Sequence, residues 1–335
     1  MADTAGEWSG RRVLVTGAGG FIGSHLVEAL ATQGAEVVAF TRYTSQAKRG
    51  LLEVLPQECL QRVRTVRGDL RDPEALEEAG QGVEYIFHLG ALVGVPYSFV
   101  HPADVVSVNT VGTLNVLAMA RARGVRRVVI ASTSEVYGTA LFVPITEEHP
   151  LQAQSPYAAS KIGADAIANS FHRGYGLPVA IVRPFNAFGA RQSDRAVIPT
   201  IISQALTQKR IKLGNVRATR DFTYVTDTVR GFLAAAAGGD EVLGQPINVG
   251  SGFEISVGEL AERIISLSNS DAEVEIDRER LRPESGEVER LWCDNTKARE
   301  LLGWEPIVPL DEGLRRAIDW VSRYTDLYKP GEYSI

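Results

Sequence analysis

Two side chains four residues apart on a helix share a face, so Tyr157 and Lys161 would set an ammonium beside a phenol. A neighbouring positive charge favours the phenolate and lowers a tyrosine pKa from its ordinary value of ~10. That would give a base usable near neutral pH. Upstream, a strand ends in Ser132-Thr133-Ser134-Glu135. Thr133 can hydrogen-bond the same substrate hydroxyl as Tyr157, and Glu135 adds a second proton-transfer group. A Tyr-x-x-x-Lys pair alone arises by chance on many exposed helices, so its weight depends on the elements that position it.

Those elements alternate. Apolar strand patterns at 13–15, 37–40, 63–66, 85–87, 128–130 and 179–182 are separated by helical patterns at 21–30, 105–122 and 155–173, with a further helix opening at Asp72-Pro73. Near-continuous apolar strands between helices predict a parallel sheet covered on both faces. The expected fold is therefore a doubly wound α/β (Rossmann) sheet, which binds ligands at the carboxyl ends of its strands. After Arg183-Pro184 the rhythm breaks into shorter elements: a helix at 198–207, a strand at 211–213 and a final amphipathic helix at 310–324. Residues 245–249 read as a strand returning to the main sheet. The expectation is a dinucleotide-binding domain from residues 1–185 and 222–250, with a smaller interleaved α/β substrate domain from 186–221 and 251–330.

Composition narrows the class. The chain has 335 residues, 44% of them hydrophobic and 23% charged, which fits a globular protein of roughly two domains. A net charge of -6 argues against broad nucleic-acid or membrane binding. Cys59 and Cys293 are the only cysteines, the N-terminus lacks an apolar signal core, and no apolar run reaches the ~20 residues of a membrane span. A cytoplasmic location is expected.

At the first strand-to-helix junction stands Thr16-Gly17-Ala18-Gly19-Gly20-Phe21-Ile22-Gly23. Glycines at 17, 20 and 23 permit a tight turn and let the backbone N–H groups at the helix start approach a pyrophosphate. After the second strand, where an acidic residue often binds a ribose 2′-hydroxyl, this chain has Thr41-Arg42-Tyr43-Thr44-Ser45. An arginine among hydroxyls suits a 2′-phosphate, so NADP is favoured over NAD, although Arg42 also reads as a solvated loop arginine. Asp69, in Gly68-Asp69-Leu70, either accepts from an adenine amino group or caps the turn that follows.

With these pieces in order, the chain resembles the extended short-chain dehydrogenase/reductase family over nearly its whole length. The resemblance rests on the glycine motif, His88-Leu89-Gly90-Ala91, Asn109, Tyr157/Lys161, Arg183-Pro184-Phe185-Asn186, Arg220-Asp221-Phe222-Thr223-Tyr224-Val225 and Leu281-Arg282-Pro283. It implies that Gly17, Gly20, Phe21, Ile22, Gly23, Arg42, Asp69, Leu70, Leu89, Ala91, Asn109, Tyr157, Lys161 and Pro184 line a tightly held, recycled dinucleotide, with no metal. It also implies that Ser134, Asn186, Arg220 and Arg282 meet a nucleotide sugar, the arginines through their forked donors. Family members commonly pair through the helices expected at 105–122 and 155–173, so a homodimer is expected.

Glu135 discriminates within the family. Ser132-Thr133-Ser134-Glu135-Val136-Tyr137-Gly138 resembles the segment of sugar-nucleotide 4,6-dehydratases, particularly the GDP-mannose type. In glucose-type dehydratases an Asp-Glu pair stands here; with Ser134 in the Asp position, Glu135 would serve as both base and acid. The stretches 144–150, 190–200 and 289–295 are most similar to dehydratases of the legionaminic acid pathway, which act on nucleotide-linked N-acetylglucosamine. The implied reaction oxidises C4, eliminates water across C5 and C6, and returns hydride to C6. Rival readings are a UDP-glucuronate decarboxylase, a nucleotide-sugar 4-epimerase, and a non-catalytic dinucleotide sensor. The intact acid–base set argues against the last.

Overall fold

The computed structural model describes residues 7–46, 48–280, 288–328 and 330. Its strands are β1 (Arg12–Thr16), β2 (Glu36–Arg42), β3 (Val63–Gly68), β4 (Tyr85–His88), β5 (Arg127–Ala131), β6 (Val179–Pro184), β7 (Asn186–Phe188), β8 (Arg210–Leu213), β9 (Thr219–Tyr224), β10 (Pro246–Val249), β11 (Glu254–Ser256) and β12 (Glu273–Ile276). Seven form one parallel sheet in the order β10-β6-β5-β4-β1-β2-β3. The chain steps outward from β1 to β3, then crosses back to β4 on the other side. That reversal opens the crevice between β1 and β4 at their carboxyl ends, where Thr16 pairs with His88.

Alternation along each strand fills both faces, because successive side chains point to opposite sides. Val13, Val15, Val37, Phe87 and Val129 pack beneath Leu26, Leu30, Phe232 and Trp304 on one face. Leu14, Val38, Ile86, Val128 and Ile130 pack beneath Leu117 and Phe171 on the other. A third apolar cluster, with Phe188, Ile201, Ile211, Phe222, Leu260 and Leu314, lies around a three-stranded sheet ordered β11-β9-β7 and the β12-β8 pair. Phe21 and Ile22, at the start of the first helix, pack against this third cluster.

The helix expected at 105–122 is one of several pieces. Helices Val95–Val100 and Pro102–Val106 meet at His101, a wide π-type turn follows at Ser107–Val111, and a regular helix runs Gly112–Arg123. Pro102 sits at the first turn, where its missing N–H costs nothing. Gly124, at φ 61, ends the run in the left-handed region. By length and composition Pro102–Arg123 is apolar enough to cross a membrane. It packs instead against the helix Pro156–Tyr175. That second helix starts at Ser155, whose hydroxyl accepts from Ala158 N at 3.1 Å, and stops at Gly176.

Candidate active site

The glycine turn between β1 and the helix Phe21–Thr32 is shaped by close approach. A Cβ on Gly23 would stand 2.1 Å from Gly17 O, and one on Gly17 would stand 2.7 Å from Gly90 N. Gly17 has φ +69, so its backbone also disfavours a side chain. Exposed Gly20 precedes the helix, whose first N–H groups have no side-chain cap among the described residues. Uncapped N–H groups at the positive end of a helix dipole fit a pyrophosphate. Leu51 N donates to Gly19 O at 2.9 Å, which seats the segment after β2 on this turn.

Arg42 ends β2 opposite Gly68 and is solvent-exposed, close enough to Asp69 to lower its pKa. Both Asp69 oxygens are engaged by Arg71: its N and Nε donate to Oδ1 at 2.9 Å each, and Nη2 donates to Oδ2 at 2.7 Å. These bonds are those of a turn cap, one of the two roles expected for Asp69. Arg71 continues to Asp104 at 2.9 Å. Leu70 wedges under Gly90 and Gly112, where added Cβ atoms would stand 3.0 and 2.8 Å from it. Leu89, Ala91 and Pro184 are half-buried at the ends of β4 and β6.

A buried chain of hydrogen bonds holds this rim together. Thr113 Oγ1 donates to Asn109 O at 2.6 Å, so it accepts from His88 Nε2 at 3.0 Å. His88 Nδ1 then accepts from Thr16 Oγ1 at 2.7 Å, and Thr16 Oγ1 accepts from Gly90 N at 3.0 Å. Burial pushes the His88 imidazole down to about 3, so the ring is neutral, as this pattern requires. Asn109 spends its carboxamide on protein: Oδ1 accepts from Leu92 N at 2.7 Å, and Nδ2 donates to Leu92 O at 3.0 Å and Ser160 Oγ at 2.9 Å. It pins the loop after β4 to the Tyr157 helix from within the π-type turn. Thr16 and His88 stood in motifs quoted from sequence but carried no role there, and Thr113 and Ser160 were not singled out at all.

Tyr157, Lys161, Thr133 and Glu135 converge at the carboxyl end of β5. Thr133 opens the short turn Ser134–Tyr137, its hydroxyl accepting from Glu135 N at 3.2 Å. Thr133, Ser134, Tyr157 and Lys161 are buried, and Glu135 is half-buried. One expectation is corrected. Burial raises the Tyr157 phenol above its ordinary value; Thr133 pulls it back, while the Glu135 and Asp165 carboxylates push it further up. Lys161 is not what lowers it: its Nζ donates to Ala131 O at 2.5 Å, and burial lowers its own pKa.

Toward the third cluster, Asn186 lies at the start of β7 with its side-chain oxygen buried and unpaired among the described residues. Arg220, on β9, is buried and donates to Thr219 O at 2.9 Å. Arg282 lies outside the described residues. Among those residues no group of three or more His, Cys, Asp or Glu side chains could hold a metal.

A parallel sheet with a glycine turn at its switch point and a Thr/Tyr/Lys set at the next strand ends defines a nucleotide-cofactor enzyme of the short-chain dehydrogenase/reductase type. The family described as GDP-mannose 4,6 dehydratase matches residues 14–317. The chain belongs to this family of extended short-chain dehydrogenases/reductases, which embraces nucleotide-sugar dehydratases, epimerases and decarboxylases. A UDP-glucose 4-epimerase of Mycolicibacterium smegmatis is 36% identical over 315 residues, covering 92% of this chain and 98% of the relative. UDP-glucuronic acid decarboxylase 1 of Danio rerio is 32% identical over 331 residues, covering 96% and 75%. The dTDP-glucose 4,6-dehydratase of Streptomyces venezuelae, solved with NAD bound, superposes with a TM-score of 0.84 at 33% identity, covering 95% and 99%.

Proposed function

We propose that this enzyme is a nucleotide-sugar 4,6-dehydratase, a hydro-lyase converting GDP- or UDP-linked N-acetylglucosamine to its 4-keto-6-deoxy product, as dehydratases of the legionaminic acid pathway do. The observation that carries the reading is Glu135, a half-buried carboxylate facing the Tyr157 phenol closely enough to raise its pKa. Simple epimerisation at C4 gives such a carboxylate no task. A nicotinamide dinucleotide, when bound, supplies the acceptor for the C4 hydride and the donor of hydride to C6. Tyr157, acting as the phenolate, takes the C4 hydroxyl proton while Thr133 hydrogen-bonds the same oxygen. The resulting ketone acidifies the C5 hydrogen. Glu135 removes that proton and delivers it to the departing C6 hydroxyl, which leaves as water. Tyr157 returns its proton to C5, so the net change is loss of one water. Each acid–base step contributes about 10²–10⁴-fold. Ser134 leaves Glu135 the acid as well as the base.

In this reading the cofactor rests on Gly17, Gly20, Phe21, Ile22 and Gly23, with Arg42 favouring NADP; relatives solved with NAD make NAD the competing choice. Asn186, Arg220 and Arg282 face the nucleotide sugar. Residues 1–185 and 222–250 form the dinucleotide-binding domain, and 186–221 with 251–330 the sugar-nucleotide domain. The enzyme acts as a cytoplasmic homodimer. A second reading, decarboxylation of UDP-glucuronate, uses the same C4 oxidation and draws on the similarity to the Danio rerio decarboxylase.

The test is incubation with GDP- and UDP-N-acetylglucosamine, GDP-mannose and UDP-glucuronate, read by mass spectrometry. Loss of water from an N-acetylglucosamine nucleotide is expected. Loss of carbon dioxide or isomerisation without mass change would replace the dehydratase reading. In deuterated water, Glu135→Gln should lose the water-eliminating step by at least about 100-fold while Tyr157→Phe loses all turnover. Full dehydration by Glu135→Gln would remove Glu135 from its role.

A further inference from the structure

Away from the Tyr157 face, a buried arginine on a strained backbone joins the helix Phe21–Thr32 to the loop after β7. Arg191 lies between β7 and the helix Val197–Thr207. Its φ of 67 is in the left-handed region, which side chains disfavour. The side chain is 8% exposed, and its Nη2 donates to Glu28 Oε2 at 2.6 Å. Arg191 Nε and Nη1 are buried with no hydrogen-bond partner among the described residues. The residues on either side are held as well. Ala190 O accepts from His25 Nε2 at 2.9 Å, on the same helix as Glu28. Gln192 Nε2 donates to Ala187 O, inside β7, at 2.9 Å, and Gln192 O accepts from Tyr328 Oη at 3.1 Å. Tyr328 Oη accepts in turn from Trp320 Nε1 at 3.1 Å, on the helix Leu310–Arg323. Residues 190–192 are thus clamped between the helix that begins at the glycine turn and elements of the third cluster, directly after the strand that starts at Asn186.

Stability alone does not call for this arrangement. A non-glycine residue at positive φ is strained. Burying N–H groups without partners costs their hydration. Apolar side chains of similar volume often replace a buried ion pair without loss. What the arrangement supplies is a fixed distance, because an ion pair is directional and an apolar contact is not. The glycine turn and Asn186 stand on different sheets. Hydride transfer between a dinucleotide on the first and a sugar nucleotide on the second needs the two aligned, and a misplacement of ~1 Å costs on the order of 100-fold in rate.

We propose that Arg191 is a positioning residue: through Glu28 it locks the loop after β7, and Asn186 with it, to the helix that starts at the glycine turn, so that dinucleotide and sugar nucleotide keep one relative geometry. The inference rests on reading the glycine turn as the dinucleotide seat and Asn186 as a sugar-nucleotide contact, but not on whether water or carbon dioxide leaves.

Hydrogen–deuterium exchange of the full-length protein, with and without saturating NADP or NAD, reads this linkage without turnover. In the unaltered protein a bound dinucleotide should slow amide exchange both at 17–32 and at 186–196. In Glu28→Met/Arg191→Met, which leaves no lone buried charge, the slowing at 17–32 should remain and that at 186–196 should be lost, while the urea midpoint is unchanged or raised. Arg191→Lys, which still offers Glu28 a cation, should keep both. Because the double variant can fail to fold, Glu28→Asp, too short to reach Arg191 in the same way, is measured alongside and should weaken the slowing at 186–196. Whichever of the four sugar nucleotides is turned over should reduce the bound dinucleotide at least about tenfold more slowly in the double variant, with dinucleotide affinity unchanged. Slowing at 186–196 that persists in whichever variant folds, or an unchanged reduction rate, overturns the proposal. So does loss of the linkage together with a lower urea midpoint, the mark of a merely structural ion pair. Slowing at 17–32 alone in the unaltered protein overturns it and leaves the cofactor seat in place. No slowing at either segment means that the cofactor reading has failed, and the proposal with it.

Discussion

His88, on β4, reaches β1 and the helix Gly112–Arg123 through its two ring nitrogens, and burial holds it neutral, with a pKa of about 3 against an ordinary 6.5. A histidine whose folded-state value is depressed contributes stability that is complete above its unfolded value and is lost as pH falls. The window therefore runs from about 6.5 down to about 3. Over it, the unfolded chain takes up a proton that the folded one refuses. In urea unfolding at a series of pH values, the stability difference between the unaltered protein and His88→Gln should be largest above pH 6.5 and shrink by a few kcal/mol toward acid. A difference constant with pH would remove His88 from this account. The residue scale is also where sequence was read most unevenly. Tyr157, Lys161, Thr133 and Glu135 announce themselves by type and spacing. Thr113 and Ser160 do not, because their roles exist only once distant elements bring them together. The sign of the Tyr157 shift shows the same limit: spacing places Lys161 beside the phenol, but burial and the partner the ammonium selects, Ala131 O, are properties of the folded site.

At the scale of elements, the decisive piece is the turn from β1 into the helix Phe21–Thr32. A methyl group on Gly23 would meet Gly17 O at 2.1 Å, a backbone atom that cannot swing aside. Gly23→Ala must therefore displace the turn and the N–H groups proposed to meet a pyrophosphate. Calorimetric titration with NADP and NAD should show at least about tenfold weaker binding, or about 1.4 kcal/mol. Circular dichroism should remain that of a folded protein. Unchanged affinity would mean that the dinucleotide does not sit on this turn. The turn was legible because glycine spacing at a strand-to-helix junction has a direct backbone cause. The break in the expected helix at 105–122 was not. Its apolar period continues through Pro102 and Gly112, while the π-type turn at Ser107–Val111 goes with long-range bonds from Asn109 to Leu92 and Ser160.

Across the whole molecule, the parallel sheet was readable because each central strand is buried on both faces and carries an apolar run. The three-stranded sheet was not, since β7 and β11 are three residues each and pair only with the distant β9. The helices flanking the main sheet carry one more consequence. Phe99, Val100, Val106, Val111 and Leu114 are all more than 40% exposed or close to it, at 44, 59, 42, 44 and 40%. They lie in the segment 95–123 that packs beside the Tyr157 helix, and Tyr175 at that helix's end is 55% exposed. Scattered apolar residues on a surface need no explanation, but a set concentrated on one segment suits the proposed interface. A homodimer joined through these helices would cover them, with roughly 800 Å² buried on each partner for a stable contact. Val111 and Leu114 are three residues apart in a helical stretch and so face the same way. Val111→Lys/Leu114→Lys should convert a dimer to a monomer in light scattering coupled to gel filtration, with the far-ultraviolet spectrum unchanged, because both side chains are exposed and neither is needed for the core. A protein that is already monomeric before substitution, or a double variant that keeps the dimer mass, would locate the interface elsewhere. If the dimer forms as expected, the same helices that position Tyr157 and Asn109 would be braced from outside, and the monomeric variant should show weaker turnover as well as halved mass.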